Sequence, residues 1–131
     1  MGSDSLKAIL DTSILIANNL SSLRGDLAIS SASLAELHFG VLATIDPAVR
    51  AGRLERLTAL TRRFDALPVD DDVATSYGSL AAAVVAVGRQ PRSRVMDLFI
   101  AATAHAHNAR LYTRNPDDLA GVADLVEIVA I

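Results

Sequence analysis

The sequence predicts an α/β fold in which two layers of helices cover a short, mainly parallel central sheet, giving a three-layer α/β/α sandwich. Short apolar runs alternate with segments whose apolar residues recur at helical spacing, as in strands joined by crossover helices. The length of 131 residues suits one domain, which we expect to span residues 1–131. Hydrophobic residues make up 51% of the chain and aromatic residues only 4%, so the core must consist mainly of Ala, Val, Leu and Ile.

Five short apolar segments are predicted to form the strands. Each is too short for a stable helix and is bounded by polar or turn-forming residues. Because a helical segment separates most successive strands, the strands can pair in parallel through crossover connections. The predicted strands are residues 7–11, 27–30, 67–69, 110–113 and 125–129.

Helix boundaries follow from capping residues and helical spacing. Ser33 and Glu36 fit a capping box, with Ser33 as the N-cap. Pro47 suits the first position of a helix, and the acidic residues 70–72 suit the positive end of another. The predicted helices cover residues 12–20, 33–44, 47–64, 73–87 and 95–107.

Charge and composition exclude several classes of protein. The absence of cysteine rules out disulfides, thiolate catalysis and zinc sites built from cysteine. The net charge of −3 gives no global basic field, so any contact with nucleic acid must use a local basic rim. No apolar run approaches the roughly 18 residues that cross a bilayer. Because residues 1–7 also lack the pattern of a signal peptide, we expect a cytoplasmic protein.

Four acidic residues stand where predicted strands end or neighbouring helices begin. Asp11 ends the first strand, Glu36 begins the helix after the second, and Asp118 follows the fourth strand. Asp97 lies in the first turn of the helix that leads into this fourth strand. If that helix runs antiparallel to the strand, its start lies at the strand's carboxyl end, where ligands bind in parallel sheets. We therefore expect all four carboxylates at one rim of the sheet.

The pattern of these acids leaves two interpretations open. Each could be a helix cap or a turn residue, as capping preferences predict for single carboxylates. As a cluster they would repel one another, and a fold keeps such a cluster when a divalent cation neutralises it. Oxygen ligands favour Mg²⁺ or Mn²⁺ over zinc, and such ions support the cleavage of phosphodiesters. Asp97 favours the second interpretation, because a carboxylate among such apolar sequence neighbours is costly without a partner.

Four segments together resemble the PIN-domain ribonucleases, and more narrowly the VapC-type toxins of type II toxin–antitoxin systems. The segments are ILDTS at residues 9–13, SLAELHFG at 33–40, DLFIAATA at 97–104 and LYTRNPDDL at 111–119. Each segment alone is a weak signal, but all of them in this order in a chain of this length are specific. The resemblance spans nearly the whole chain and implies the PIN-like form of the α/β fold.

The resemblance implies a role for each acidic residue. Asp11, Glu36 and Asp97 match the three family carboxylates that hold Mg²⁺, and Mn²⁺ is expected to be accepted as well. The fourth position is ambiguous, because some members have an aspartate where Asn115 stands, whereas others have asparagine there and an aspartate three residues later. This chain follows the second pattern, so the acidic role falls to Asp118.

Further polar residues match supporting positions of the family. Thr12, Ser13 and Thr113 resemble hydroxyl positions that steady the first carboxylates and bound water, and Asn115 can offer a carbonyl oxygen but no charge. Four arginines are candidates for binding phosphates of the substrate, with a solvated surface role as the alternative. They are Arg89, Arg92 and Arg94 in the loop before the third segment, and Arg114 within the fourth.

The function that the resemblance implies is endonucleolytic cleavage of RNA by a water activated at the metal. It also implies a toxin that forms a homodimer and is blocked by a cognate VapB-type antitoxin. Two alternatives remain. Asn115, in place of an acid, favours a catalytically weak PIN-like module that binds RNA or protein. Aspartates at strand ends also suit a receiver-like phosphotransfer domain, but such domains need a lysine near the phosphate, and the only lysine, Lys7, precedes the first strand.

Overall fold

The structure is a computed structural model that describes residues 7–17 and 20–131. Residues 1–6, where we expect no signal peptide, and residues 18 and 19, within the predicted first helix, lie outside the described residues. Among the helices that are described, none is both long and apolar enough to cross a membrane.

The central sheet has five strands, β1 (Ala8–Leu10), β2 (Leu27–Ser30), β3 (Ala66–Leu67), β4 (Arg110–Thr113) and β5 (Ile128–Ala130). They lie in the order β3-β2-β1-β4-β5, and every pairing is parallel, which confirms the predicted sheet. β1 is the central strand, with Ile9 level with Ala28 on one side and Leu111 on the other. β3 is shorter than the predicted 67–69 and begins one residue earlier.

The last strand begins later than predicted. The segment 125–129 was expected to be a strand, but Leu125 and Val126 donate backbone hydrogen bonds to the carbonyl oxygen of Val122, at 2.9 and 3.0 Å, and form a turn. Pairing with β4 begins only at Glu127, whose carbonyl oxygen accepts a hydrogen bond at 2.9 Å. The predicted start of this strand is therefore wrong, because those backbone groups are already bonded within the turn.

Five α-helices connect the strands: α1 (Thr12–Leu15), α2 (Ser31–Leu42), α3 (Pro47–Arg63), α4 (Asp71–Ala86) and α5 (Val95–Ala106). Pro47 is the first residue of α3, and Asp70 caps α4 through a hydrogen bond from Val73 N, as the sequence predicts. The prediction of a helix over residues 12–20 is wrong beyond Leu15. The buried side chains of α1 lie within its single turn, whereas Ile16 is exposed and a separate 3₁₀ turn follows at Leu20–Ser22.

The N-cap of α2 is Ser30 and not the predicted Ser33. Ser30 ends β2 in an extended conformation, and its hydroxyl accepts a hydrogen bond from Ala32 N at 3.1 Å. The helix therefore begins directly after the strand, which makes the capping-box assignment wrong. Ser33 is instead fully buried within the helix, where its hydroxyl lies 3.2 Å from that of Thr12.

Helices pack on both faces of the sheet, which confirms the three-layer arrangement. Neighbouring residues of a strand point to opposite faces. On one face, Ile9 and Leu111 belong to a buried cluster with Leu80 of α4 and with residues of α5. On the other face, Leu10 and Ile29 cluster with residues of α1 and α3. Burial of these aliphatic side chains is the main contribution that stabilises the fold.

The carboxyl ends of β1 and β4 lie side by side. Leu10 is level with Tyr112, and Asp11 N donates a hydrogen bond to the carbonyl oxygen of Tyr112 at 3.1 Å. Asp11 is therefore the first residue beyond the sheet, close to Thr113, at the edge where parallel sheets bind ligands.

Candidate active site

A small cleft opens at the carboxyl edge of the sheet. Three of the four predicted acids line it, namely Asp11, Asp97 and Asp118. Its volume of about 40 Å³ suits an ion or a few water molecules rather than an organic ligand. The rest of the lining consists of Ser13, Leu111, Asn115 and Leu119.

Asp11 is held in place at the start of α1. Its Oδ1 accepts hydrogen bonds from the Ser13 hydroxyl at 2.5 Å and from Ile14 N at 3.3 Å, and the residue is only 9% exposed. Ser13 Oγ in turn accepts a hydrogen bond from Arg114 N at 3.0 Å. Asp11 thus caps α1, and the same hydrogen bonds tie the end of β1 to the loop after β4.

Glu36 is connected to the cleft through Thr12. The Thr12 hydroxyl donates to Glu36 Oε1 at 2.6 Å. Because Thr12 directly follows Asp11, this contact brings a carboxylate of α2 next to the end of β1. Glu36 lies within α2, well after the N-cap, so helix capping does not account for its position.

The pKa of Asp97 lies above its ordinary value of 3.8. The largest cause is burial, and the carboxylates of Glu36, Asp118 and Asp11 raise the pKa further, whereas Arg94 lowers it. The structure therefore places Asp11, Asp97 and Asp118 in one cleft, and Glu36 is held beside it through Thr12.

The turn after β4 presents two adjacent aspartates differently. The side chain of Asp118 lines the cleft, while Asp117 is exposed and its backbone oxygen accepts a hydrogen bond from Arg89 at 3.4 Å. Asn115 also lines the cleft, and its backbone N donates to the Thr113 hydroxyl at 3.0 Å. Thr113 thus shapes the turn that carries both Asn115 and Asp118.

The predicted RNA-binding arginines fall into two groups. Arg94 contacts the acids, since its guanidinium lies 3.0 Å from Asp118 Oδ1 and 3.9 Å from Asp97 Oδ2. This contact was not predicted from the sequence, although the three-residue spacing of Arg94 and Asp97 is a signal for it. The other three are exposed and do not line the cleft: Arg89, Arg92 and Arg114.

The donor atoms at this edge suit a hard divalent cation. They are carboxylate and amide oxygens, and the mutual repulsion that raises the pKa of Asp97 would fall if a cation were bound. Across residues 7–17 and 20–131, no three histidine, aspartate or glutamate side chains are close enough together to hold one ion. In their chemistry, and in their position at one edge of the sheet, the residues nevertheless fit the ion.

Comparison with known proteins gives close relatives over nearly the whole chain. The profile of the PIN domain matches residues 8–125. Ribonuclease VapC5 of Mycobacterium tuberculosis is 35% identical over 131 residues, which cover 94% of each chain. Ribonuclease VapC8 of the same species is 37% identical over 100 residues, which cover 73% of this chain and 88% of the relative.

Solved structures share the fold. A chain of VapBC-5 from M. tuberculosis, a member of the VapBC family of toxin–antitoxin systems, matches with a TM-score of 0.84 and 35% identity over 96% of this chain and 99% of its own. A chain of VapBC2 from Rickettsia felis, solved bound to a DNA fragment from their promoter, matches with a TM-score of 0.80 and 25% identity over 96% of this chain and 99% of its own. The chain belongs to the PIN-domain family and is a VapC-type member of it.

Proposed function

We propose that this protein is an endoribonuclease toxin that depends on Mg²⁺, with Mn²⁺ also accepted, and that its acidic cluster holds the ion. Its relatives are named ribonucleases, and solved relatives come from VapBC toxin–antitoxin systems. We further propose one PIN-like domain across residues 1–131, which acts in the cytoplasm as a homodimer and is inhibited by a VapB-type antitoxin. The proposed ligands are Asp11, Glu36, Asp97 and Asp118.

The observation that carries this proposal is the convergence of four carboxylates from four separate segments of the chain. Of these four acids, only Asp11 caps an α-helix. Asp97 lies in the first turn of α5, which has Arg94 at its N-cap position and no capping hydrogen bond from a side chain. Burial and three like charges make ionised Asp97 unfavourable in the fold. A bound cation accounts for why such an arrangement is retained.

The residues around the cleft can orient the acids for catalysis. When bound, Mg²⁺ supplies a water nucleophile at neutral pH and neutralises charge on the phosphodiester. Ser13 fixes one oxygen of Asp11, and Thr12 fixes one oxygen of Glu36, so neither acid has to be ordered when the substrate binds. Asn115 offers a further oxygen beside Asp118.

Exposed arginines can supply the contacts to RNA. Arg89, Arg92 and Arg114 are exposed near the loops that border the cleft, where they would bind phosphates of the substrate. Because the net charge of the chain is −3, these local charges would have to offset a general repulsion of RNA. RNA cleavage is therefore expected to weaken as salt increases.

Incubation of the protein with total RNA and Mg²⁺ tests the proposal. We expect fragments from the wild type that EDTA abolishes, and none from Asp97→Asn. Asp117→Asn is the matched control, because it removes the same charge from an exposed position of the turn that carries Asp118. A wild-type protein that retains RNA without cutting it would refute the nuclease and support the alternative binding module, which Asn115 favours.

A further inference from the structure

Arg94 belongs to the loop before α5 and contacts the acids of the cleft. It is the last residue of the 3₁₀ turn Pro91–Arg94, directly before α5. Its guanidinium lies 3.0 Å from Asp118 Oδ1 and 3.9 Å from Asp97 Oδ2. Two of the four proposed ligands therefore share one arginine of the same chain.

We infer that Arg94 is an internal counter-ion that competes with the divalent cation for Asp97 and Asp118. The inference rests on the proposed metal site. A guanidinium 3.0 Å from a carboxylate oxygen occupies the space beside that oxygen, and its positive charge repels an approaching cation. Entry of the ion therefore requires that Arg94 withdraw from the two acids.

The surroundings of Arg94 allow this exchange. Its side chain is 47% exposed and that of Asp118 is 36% exposed, so water screens the pair and the contact is weak. Arg94 also borders a second cavity, of about 280 Å³, whose lining includes Arg89, Gln90 and Ser93. This cavity shares Asp118 with the acidic cleft, so the guanidinium has space beside the site when it leaves the acids.

Arg94 also reduces the repulsion between two of the acids, Asp97 and Asp118. Its guanidinium lies 3.0 Å from Asp118 Oδ1 and 3.9 Å from Asp97 Oδ2, so its positive charge offsets part of the repulsion that a cation would otherwise relieve. Arg94 therefore stabilises the acidic cluster but lowers its affinity for metal. With Arg94 in place, we therefore expect the metal to bind less tightly.

Binding of Mn²⁺ alone, followed by the electron paramagnetic resonance signal of the free ion, tests this inference without RNA. We expect Arg94→Gln to bind Mn²⁺ roughly two- to fivefold more tightly than the wild type. Arg92→Gln is the matched control, since it removes the same charge from an exposed position of the same turn, and it should bind as the wild type does. Arg94→Lys keeps the charge but loses the forked guanidinium, so we expect an intermediate affinity.

Three outcomes would overturn the inference. Equal affinities of Arg94→Gln and Arg92→Gln would show that only the general charge of the loop matters. Weaker binding by Arg94→Gln, in a variant whose melting curve in EDTA remains cooperative, would show that Arg94 positions Asp118 for the ion. If wild type, Arg94→Gln and Arg92→Gln all fail to bind Mn²⁺, the proposed metal site itself is wrong.

Discussion

The Thr12 hydroxyl donates a 2.6 Å hydrogen bond to Glu36 Oε1, which joins α1 to α2 across 24 residues of sequence. Asp11, the residue before Thr12, accepts a hydrogen bond from the hydroxyl of Ser13, the residue after Thr12. One helical turn directly after β1 therefore orients two of the four acids. Thr12 is a positioning residue in this arrangement, because it acts through Glu36.

Replacement of Thr12 should loosen Glu36 without altering any acid. We expect Thr12→Val to reduce RNA cleavage about tenfold and to weaken Mn²⁺ binding. The lost hydrogen bond should lower the free energy of unfolding by about 1 kcal/mol. Thr12→Ser retains the hydroxyl and should restore metal affinity and cleavage. If the valine and serine variants bind Mn²⁺ equally well, the hydroxyl does not position Glu36.

The two aspartates after β4 should differ in importance. Asp118 lines the cleft, whereas Asp117 is exposed. We expect Asp118→Ala to lower the rate of cleavage about tenfold or more, and Asp117→Ala to leave it close to that of the wild type. Rates measured on one RNA at saturating Mg²⁺ would compare them. Equal rates would mean that Asp118 is not the fourth acidic ligand.

Divalent cations should stabilise the folded protein, because binding to the native state alone shifts the folding equilibrium. At about ten times the dissociation constant, the gain is about 1.4 kcal/mol. We expect thermal melts of the wild type to shift upward with Mg²⁺ or Mn²⁺, and those of Asp97→Asn to remain unchanged. A wild-type melting temperature that stays constant across millimolar metal would argue strongly against the site.

The raised pKa of Asp97 predicts how stability depends on pH in EDTA. The folded state holds this proton more tightly than the unfolded chain, whose pKa is near 3.8. The contribution of Asp97 to stability should therefore fall as the pH rises from 3.8 through the raised pKa. Asp97→Asn removes the charge, so the variant should have a higher melting temperature than the wild type near neutral pH. In acid the two melting temperatures should converge. A constant difference in melting temperature between about pH 4 and pH 7 would contradict the shift.

Gly121 and Gly25 form a matched pair for a test of packing. Both have positive φ, 101° and 105°, so alanine at either costs roughly 1–2 kcal/mol of backbone strain. A Cβ at residue 121 would lie 2.9 Å from Val87 Cγ2 and 3.2 Å from the backbone oxygen of Ala83. A Cβ at residue 25 would have none of the neighbouring described atoms within 4 Å. In urea unfolding, we expect Gly121→Ala to lower the free energy of unfolding by about 1–3 kcal/mol more than Gly25→Ala does. Equal losses would show that Val87 moves aside freely.

The sheet and the acids could be predicted because their signals are local in the chain. An apolar run that ends in Asp11 indicates both a strand and its carboxyl end, wherever the neighbouring strands lie. The ends of helices and strands were harder to predict where either of two residues could serve as the cap. Ser30 and Ser33 can each cap a helix, and only the end of β2 determines that Ser30 does so.

Other features depended on tertiary contacts that sequence patterns do not specify. Val126 is almost fully buried in a turn, and a buried turn has the same apolar pattern as a strand, so residues 125–129 were assigned to the strand. The charge of Arg94 predicts a phosphate ligand, and that role stays a prediction. Its contact with Asp118 depends on how the loop before α5 meets the turn after β4, which no local pattern encodes.

The position of β1 in the middle of the sheet has a consequence for biosynthesis. Ile9 pairs with Leu111, so β1 is translated long before its partner β4. A growing chain on the ribosome can neither close the middle of the sheet nor gather acids that extend from residue 11 to residue 118. Because the proposed metal site needs Asp118 as well as Asp11, we expect no cleavage activity until the turn after β4 has been translated.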